Sequence, residues 1–210
     1  MEELADVPDR TAHRAFLNRY YGWSRGIYDW TRRYYLFGRD ETLAELCSEP
    51  WDSLIEIGPG TGRNLTVLQR ARPEAVFGGI DASDAMLEFA SARCPWAVFR
   101  QGFAEDADYA SVLGRKPDRI LFSYCLSMVQ DPAAALDHAR SQLSERGRLV
   151  VVDFADGAGL PGPLRLGLLG WLRRFHVEPV DPGLLAARRA ELRFGPGRYW
   201  LRASLGACTS

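Results

Sequence analysis

The pattern of the chain predicts an α/β fold: a parallel sheet with helices on both faces. Short apolar runs alternate with amphipathic stretches from about residue 50 to residue 155, and strands in that alternation are buried on both faces by their crossover helices. One run passes through an acid into Gly58-Pro59-Gly60-Thr61-Gly62, which reads as a strand turning sharply into a helix with its backbone brought close to a ligand. The glycine loop, Asp81, Ser123-Tyr124 and Asp153 all fall at strand ends, where open parallel sheets bind ligands.

A helical segment is expected over about 10–46, and Glu49-Pro50 turns the chain into a first strand at 53–57. Residues 61–71 read as a helix with Leu65 and Leu68 on one face, closed by Arg72-Pro73. The run 75–81 is a second strand ending in Asp81, and Ser83 caps the helix that carries Met86, Leu87 and Phe89. Strands follow at 97–100, at 119–124 and at 148–154, with a helix between the last two that starts at Asp131-Pro132 and runs to about Leu143. A leucine-rich helix is expected over 164–177 and another over 182–192. Residues 192–194 and 198–203 flank Gly195-Pro196-Gly197 and read as a terminal antiparallel pair.

The 210 residues suit one domain, and 47 % hydrophobic content is ordinary for a globular protein. The acidic start Met1-Glu2-Glu3 lacks the apolar stretch of a signal peptide, and no run of 18 uncharged apolar residues spans a membrane. Cys47, Cys94, Cys125 and Cys208 lie far apart, the usage of reduced thiols in a cytoplasmic protein. His13, His138 and His176 are not spaced for zinc, so no metal is expected. The net charge of −1 conceals an uneven distribution. Between Thr11 and Arg39 stand Arg14, Arg19, Arg25, Arg32, Arg33 and Arg39 against the single acid Asp29, interleaved with aromatic residues. That segment suits anionic lipid headgroups, a substrate carboxylate or nucleic acid, or a helix laying its aromatics on the core.

The glycine spacing excludes two common nucleotide loops. Arg63 stands where the third glycine of a dinucleotide fingerprint would fall, and no Gly-Lys-Ser/Thr follows. With Glu56 before the loop and Asp81 after it, the stretch resembles motif I of the class I S-adenosylmethionine-dependent methyltransferases. That resemblance implies a Rossmann-like seven-stranded sheet of order 3-2-1-4-5-7-6, strand 7 antiparallel, with helices on both faces. It implies S-adenosylmethionine as cofactor and S-adenosylhomocysteine as product. Glycines 58, 60 and 62 with Pro59 would let backbone approach the methionine and ribose, Glu56 would orient the amino group, and Asp81 would accept the ribose hydroxyls. Ala82, Met86, Gly102, Phe103, Ala104, Ser123 and Tyr124 complete the implied cofactor set, with Phe103 standing where the family often has an aspartate. Pro59 departs from the cysteine or alanine often found there.

A sulfonium methyl is already activated, so alignment and desolvation can carry the catalysis. An amine acceptor must lose a proton before attack, for which His176 and Asp153 are candidates, and tyrosine faces stabilise the cation that forms.

The segments Arg25–Asp40, Phe122–Met128, and Asp153-Phe154 through Gly159-Leu160-Pro161 to Trp171–Val177 resemble the bacterial diacylglycerylhomoserine N-methyltransferases of betaine-lipid synthesis. The resemblance implies three successive methyl transfers to the amino nitrogen of a lipid headgroup. The chain would then be one domain, 1–210, with a helical lid at 10–46 carrying Tyr28 and Arg39 over the cofactor. In the catalytic core, 50–210, residues 159–180 would face substrate or membrane. The implied partners are a lipid with an amine headgroup, an anionic membrane surface on the cytoplasmic side of the inner face, and an enzyme that makes the homoserine lipid; nucleic acid is not expected. A methyltransferase for a soluble amine, and a cofactor-binding subunit with little activity of its own, are the alternative readings.

Overall fold

The computed structural model describes residues 36–175 and 177–208. Its strands are β1 (Ser53–Ile57), β2 (Val76–Asp81), β3 (Val98–Gln101), β4 (Arg119–Ser123), β5 (Arg148–Phe154), β6 (Glu191–Phe194) and β7 (Trp200–Gly206). They form one sheet of order β3-β2-β1-β4-β5-β7-β6. Pairing is parallel from β3 through β5, while β7 runs antiparallel to both β5 and β6. The expected seven-stranded order is therefore observed.

The helices are α1 (Arg39–Ser48), α2 (Arg63–Ala71), α3 (Asp84–Arg93), α4 (Tyr109–Leu113), α5 (Pro132–Gln142), α6 (Gly162–Arg174) and α7 (Pro182–Ala186). Side chains of Ser83, Asp108, Asp131 and Asp181 accept from backbone N–H groups in the first turns of α3, α4, α5 and α7, satisfying donors that a helix start leaves open. Strand alternation sorts the core into two layers. Ile55, Ile57, Ile120, Phe122, Leu149 and Val151 face one side, against residues of α4, α5 and α7. Leu54, Leu121 and Val150 face the other, against Leu43 and Leu46 of α1 and Leu65 and Leu68 of α2. A third cluster gathers Leu36, Tyr124, Val152, Phe154, Leu172 and Val177 near the carboxyl ends of β4 and β5.

The opposite end of the sheet is clasped by one carboxylate. Asp118 accepts from the Asp52 N–H at 3.1 Å, the Ser53 hydroxyl at 3.1 Å and the Ser144 hydroxyl at 2.8 Å. Partial burial opposes its charge, but these hydrogen bonds outweigh that cost and hold its pKa below the ordinary value.

Two boundaries and one short helix differ from expectation. The N-terminal helix does not run unbroken through 10–46: α1 begins only at Arg39, because Gly38 caps it in a left-handed conformation with φ of 76°. The expected part before residue 36 lies outside the described residues. The helix expected over 182–192 stops at Ala186, since Arg189 takes a φ of 58° and Leu192 already belongs to β6. The five-residue α4 was not foreseen, being too short to show a helical period.

Gly38 also lies under an indole. A Cβ there would stand 2.6 Å from ring atoms of Trp200. Gly38→Ala is expected to lower stability by about 1–2 kcal/mol from the left-handed backbone alone, read as a lower urea midpoint with an unchanged slope.

Candidate functional site

Leaving β1, the chain passes through Gly58, Gly60 and Gly62, all at positive φ. The Gly58 N–H donates to the Ile80 carbonyl at 2.8 Å, and the Gly62 N–H to the Pro59 carbonyl at 2.9 Å. At Gly58 the backbone touches the segment after β4: a Cβ would lie 2.9 Å from Cβ of Cys125, a spacing that any larger residue would violate. The crossing of these two loops leaves a cleft on either side of Gly58, and Gly58 lines both.

The first cleft is lined by Leu36, Arg39, Glu56, Asn64 and Ser123 together with Pro59, Gly60, Thr61 and Arg63. Alternation along β1 aims Glu56 at the α2 side of the sheet, where it is fully buried. Asn64 Nδ2 donates to its Oε1 at 2.6 Å. Its Oε2, Asn64 Oδ1 and Ser123 Oγ have no hydrogen-bond partner among the described residues, while Arg39 Nε lies 3.6 Å from Asp40 Oδ1. Buried polar atoms are normally satisfied, so three open ones beside a guanidinium in one cleft mark a place shaped for a polar ligand. Burial pushes the Glu56 carboxyl up to about 8, against the opposing hydrogen bond from Asn64 and the charge of Arg39. Burial, then the neighbouring Arg63, lowers the pKa of Arg39, while Asp40 acts the other way. A carboxyl and a guanidinium in one cleft suit a zwitterion, its ammonium at Glu56 and its carboxylate at Arg39.

The second cleft is lined by Asp81, Ala82, Gly102, Phe103, Ala104 and Glu105, with Ile57, Ile80, Cys125 and Met128–Gln130 closing it. Asp81 ends β2, and its Oδ1 accepts the Ser83 N–H at 2.9 Å. Two carboxylates, Asp81 and Glu105, among largely apolar walls suit a hydroxylated sugar joined to a flat ring. Met128, Val129 and Gln130 also line a third cavity of about 520 Å³, bounded by Arg173 and by 177–181 with Leu184.

Of the residues expected to touch a cofactor, Arg39, Glu56, Gly58, Pro59, Gly60, Asp81, Ala82, Gly102, Phe103, Ala104 and Ser123 line the two clefts. Gly62 instead caps α2 and lies against Cys94. Met86 is buried within the first turn of α3, and Tyr124 turns into the third cluster. Asp153, expected to take a proton from the acceptor, is fully buried beneath the Leu126–Met128 turn. Its oxygens accept the N–H groups of Ser127 at 3.0 Å and Phe154 at 2.8 Å, and burial raises its pKa to about 6. The side chain thus supports the wall between the clefts and the third cavity. Tyr28 and His176 lie outside the described residues. Asn64, Thr61, Arg63, Cys125 and Met128–Gln130 join the linings without having been singled out as ligand contacts. The legible signal for Asn64 was its place in the first turn of the helix that the glycine loop opens.

The family model described as a methyltransferase domain matches residues 27–191. No curated protein matches the chain in sequence. Among solved structures, the chain is similar to a SAM-dependent methyltransferase of Thermotoga maritima described as a possible histamine N-methyltransferase, at 18 % identity over 92 % of this chain and 97 % of that one, TM-score 0.61. An O-methyltransferase family protein of Burkholderia thailandensis aligns at 14 % identity over 91 % of this chain and 63 % of that one, TM-score 0.65. The YcgJ protein of Bacillus subtilis aligns at 20 % identity over 73 % and 70 %, TM-score 0.57. At these identities the likeness speaks for the fold, and the fold agrees with the matched model: the chain belongs to the methyltransferase-domain family.

Proposed function

We propose that the chain is an S-adenosylmethionine-dependent N-methyltransferase that methylates the amino group of a lipid headgroup, diacylglycerylhomoserine being the acceptor implied by the sequence resemblance. The carrying observation for the cofactor is the set of open polar atoms on Glu56, Asn64 and Ser123, with the Arg39 guanidinium in the same cleft, beside a second cleft headed by Asp81. That pair of clefts fits an amino acid joined to a nucleoside. Glu56 would receive the ammonium, Arg39 the carboxylate, Asp81 the ribose hydroxyls, and Phe103 with Val129 would enclose the adenine. The cofactor, when bound, supplies an electrophilic methyl on a sulfonium. What the chain contributes is alignment and exclusion of water.

The acceptor reading draws on α6 and the third cavity. α6 carries Arg165, Arg173 and Arg174 with no acid, and it exposes Leu164 at 63 % and Leu166 at 73 % beside the half-exposed Trp171 and Phe175. Basic and apolar residues on one short helix suit the surface of an anionic membrane. No helix among the described residues is long and apolar enough to cross one. Glu178 and Asp181, which line the third cavity together with Arg173, would attract the ammonium of the headgroup. Three successive transfers would give the trimethylated betaine.

Glu56→Gln is expected to lower affinity for S-adenosylhomocysteine by about 10- to 100-fold, the scale of a lost hydrogen bond to a charged group, measured by titration calorimetry. Between the reference value of 4.5 and about 8 the folded carboxyl keeps a proton that the unfolded one has lost. Wild-type stability therefore falls as pH rises through that window. The glutamine variant lacks that slope, so it should gain on wild type in denaturation midpoint as pH is raised from 4 to 8.

Asp81→Ala should weaken cofactor binding by about 1–3 kcal/mol, read by equilibrium dialysis with labelled S-adenosylmethionine; unchanged affinity would remove Asp81 from the site.

The acceptor is tested by incubating the purified chain with labelled cofactor and anionic vesicles containing diacylglycerylhomoserine. Label in the lipid phase, with co-flotation of the protein, is the expected result. Turnover of a water-soluble amine without flotation would favour the soluble-acceptor alternative, and no transfer to either would favour the partner-subunit reading.

A further inference from the structure

We propose that Tyr124 is a positioning residue that sets Arg39 against the carboxylate end of the cofactor, an assignment that rests on the cofactor reading above. Along β4, Ile120 and Phe122 face the first core layer, while Leu121 and Ser123 face the second. Simple alternation would send Tyr124 back to the side of Phe122. Instead it takes a φ of 54°, a conformation rare for a bulky residue. Its ring then lies with Leu36, Val152 and Phe154, in edge contact with Phe154 at 4.7 Å between ring centres. Val152 is the strand partner of Ser123, so Ser123 and Tyr124 end on the same face in succession.

That reversal brings the Tyr124 hydroxyl to the Phe37 carbonyl, to which it donates. Phe37 precedes the left-handed Gly38 cap, and Arg39 follows as the first residue of α1. Arg39 is only 7 % exposed and lines the cleft with Glu56 and Ser123. The tyrosine itself lines neither cleft, although its neighbours Ser123 and Cys125 line one each. Its hydroxyl is thus a polar tie from the sheet to the turn that aims the guanidinium. Leu172 of α6 packs in the same cluster, which places the tie between α6 and the cofactor cleft.

The experiment compares S-adenosylhomocysteine with 5′-methylthioadenosine, which lacks the amino-acid end, on wild type, Tyr124→Phe, Arg39→Ala and the double variant by titration calorimetry. Phenylalanine keeps the ring in its cluster, and a denaturation midpoint near that of wild type checks the fold. Tyr124→Phe should weaken S-adenosylhomocysteine by about five- to tenfold, the scale of one lost hydrogen bond, and leave 5′-methylthioadenosine within about twofold. In the Arg39→Ala background the same change should cost nothing further. Equal losses for both ligands, a loss that persists without Arg39, or no loss at all would overturn the proposal. If wild type binds 5′-methylthioadenosine but not S-adenosylhomocysteine, or binds neither, the cofactor reading fails, and this assignment with it.

Discussion

A carboxyl group buried at the end of a central strand is costly unless something answers it, and the architecture around Glu56 is organised by that cost. The strand alternation that seals Leu54 into the core also points Glu56 inward. α2 must then begin close enough for Asn64 to reach it, which sets the length of the glycine loop. α1 must bring Arg39 to the same cleft. One hydrogen bond and one nearby cation reduce the penalty without removing it, so the carboxyl keeps its proton to about 8. A bound cation would complete the arrangement. The cleft is therefore less stable than a packed core would be, and the difference is available to a ligand.

The sheet was legible because its central strands are nearly continuous apolar runs, and because capping residues such as Ser83 and Asp131 mark where helices begin. Glu56, Gly58 and Asp81 were legible for a related reason. A residue at the end of a buried strand has its direction fixed by alternation, and its neighbours across the sheet follow from the strand order. Tyr124 shows where that reasoning ends. Its expected contact with the cofactor rested on its place at the carboxyl end of β4, whereas the backbone reverses there by adopting a positive φ, for which a tyrosine gives no local cue. Asp153 is a different case. The end of β5 was placed well, but the partners of a carboxylate there depend on the turn at 126–128 folding over it from another strand.

Arg39 and Asn64 mark the boundary between the two kinds of information. Each sits on a helix whose existence the sequence announces, yet its role depends on how that helix lies across the sheet. Gly38 settles that for α1, since its left-handed turn and its contact beneath Trp200 tie the helix start to the terminal strand β7. The antiparallel strand that distinguishes this sheet from a dinucleotide-binding one thus also bears on the cofactor cleft.

The clasp at Asp118 gives the sheet a chemical polarity. At that pole a carboxylate must be ionised to keep its three donors, so acid loosens it as pH falls through its lowered pKa. At the opposite pole Glu56 is most comfortable with its proton on. Acid therefore acts on the two ends of one sheet in opposite senses. It relaxes the end that holds strands, helix and loop together and settles the end that receives ligands, leaving the molecule with a mechanical base and a chemically restless rim.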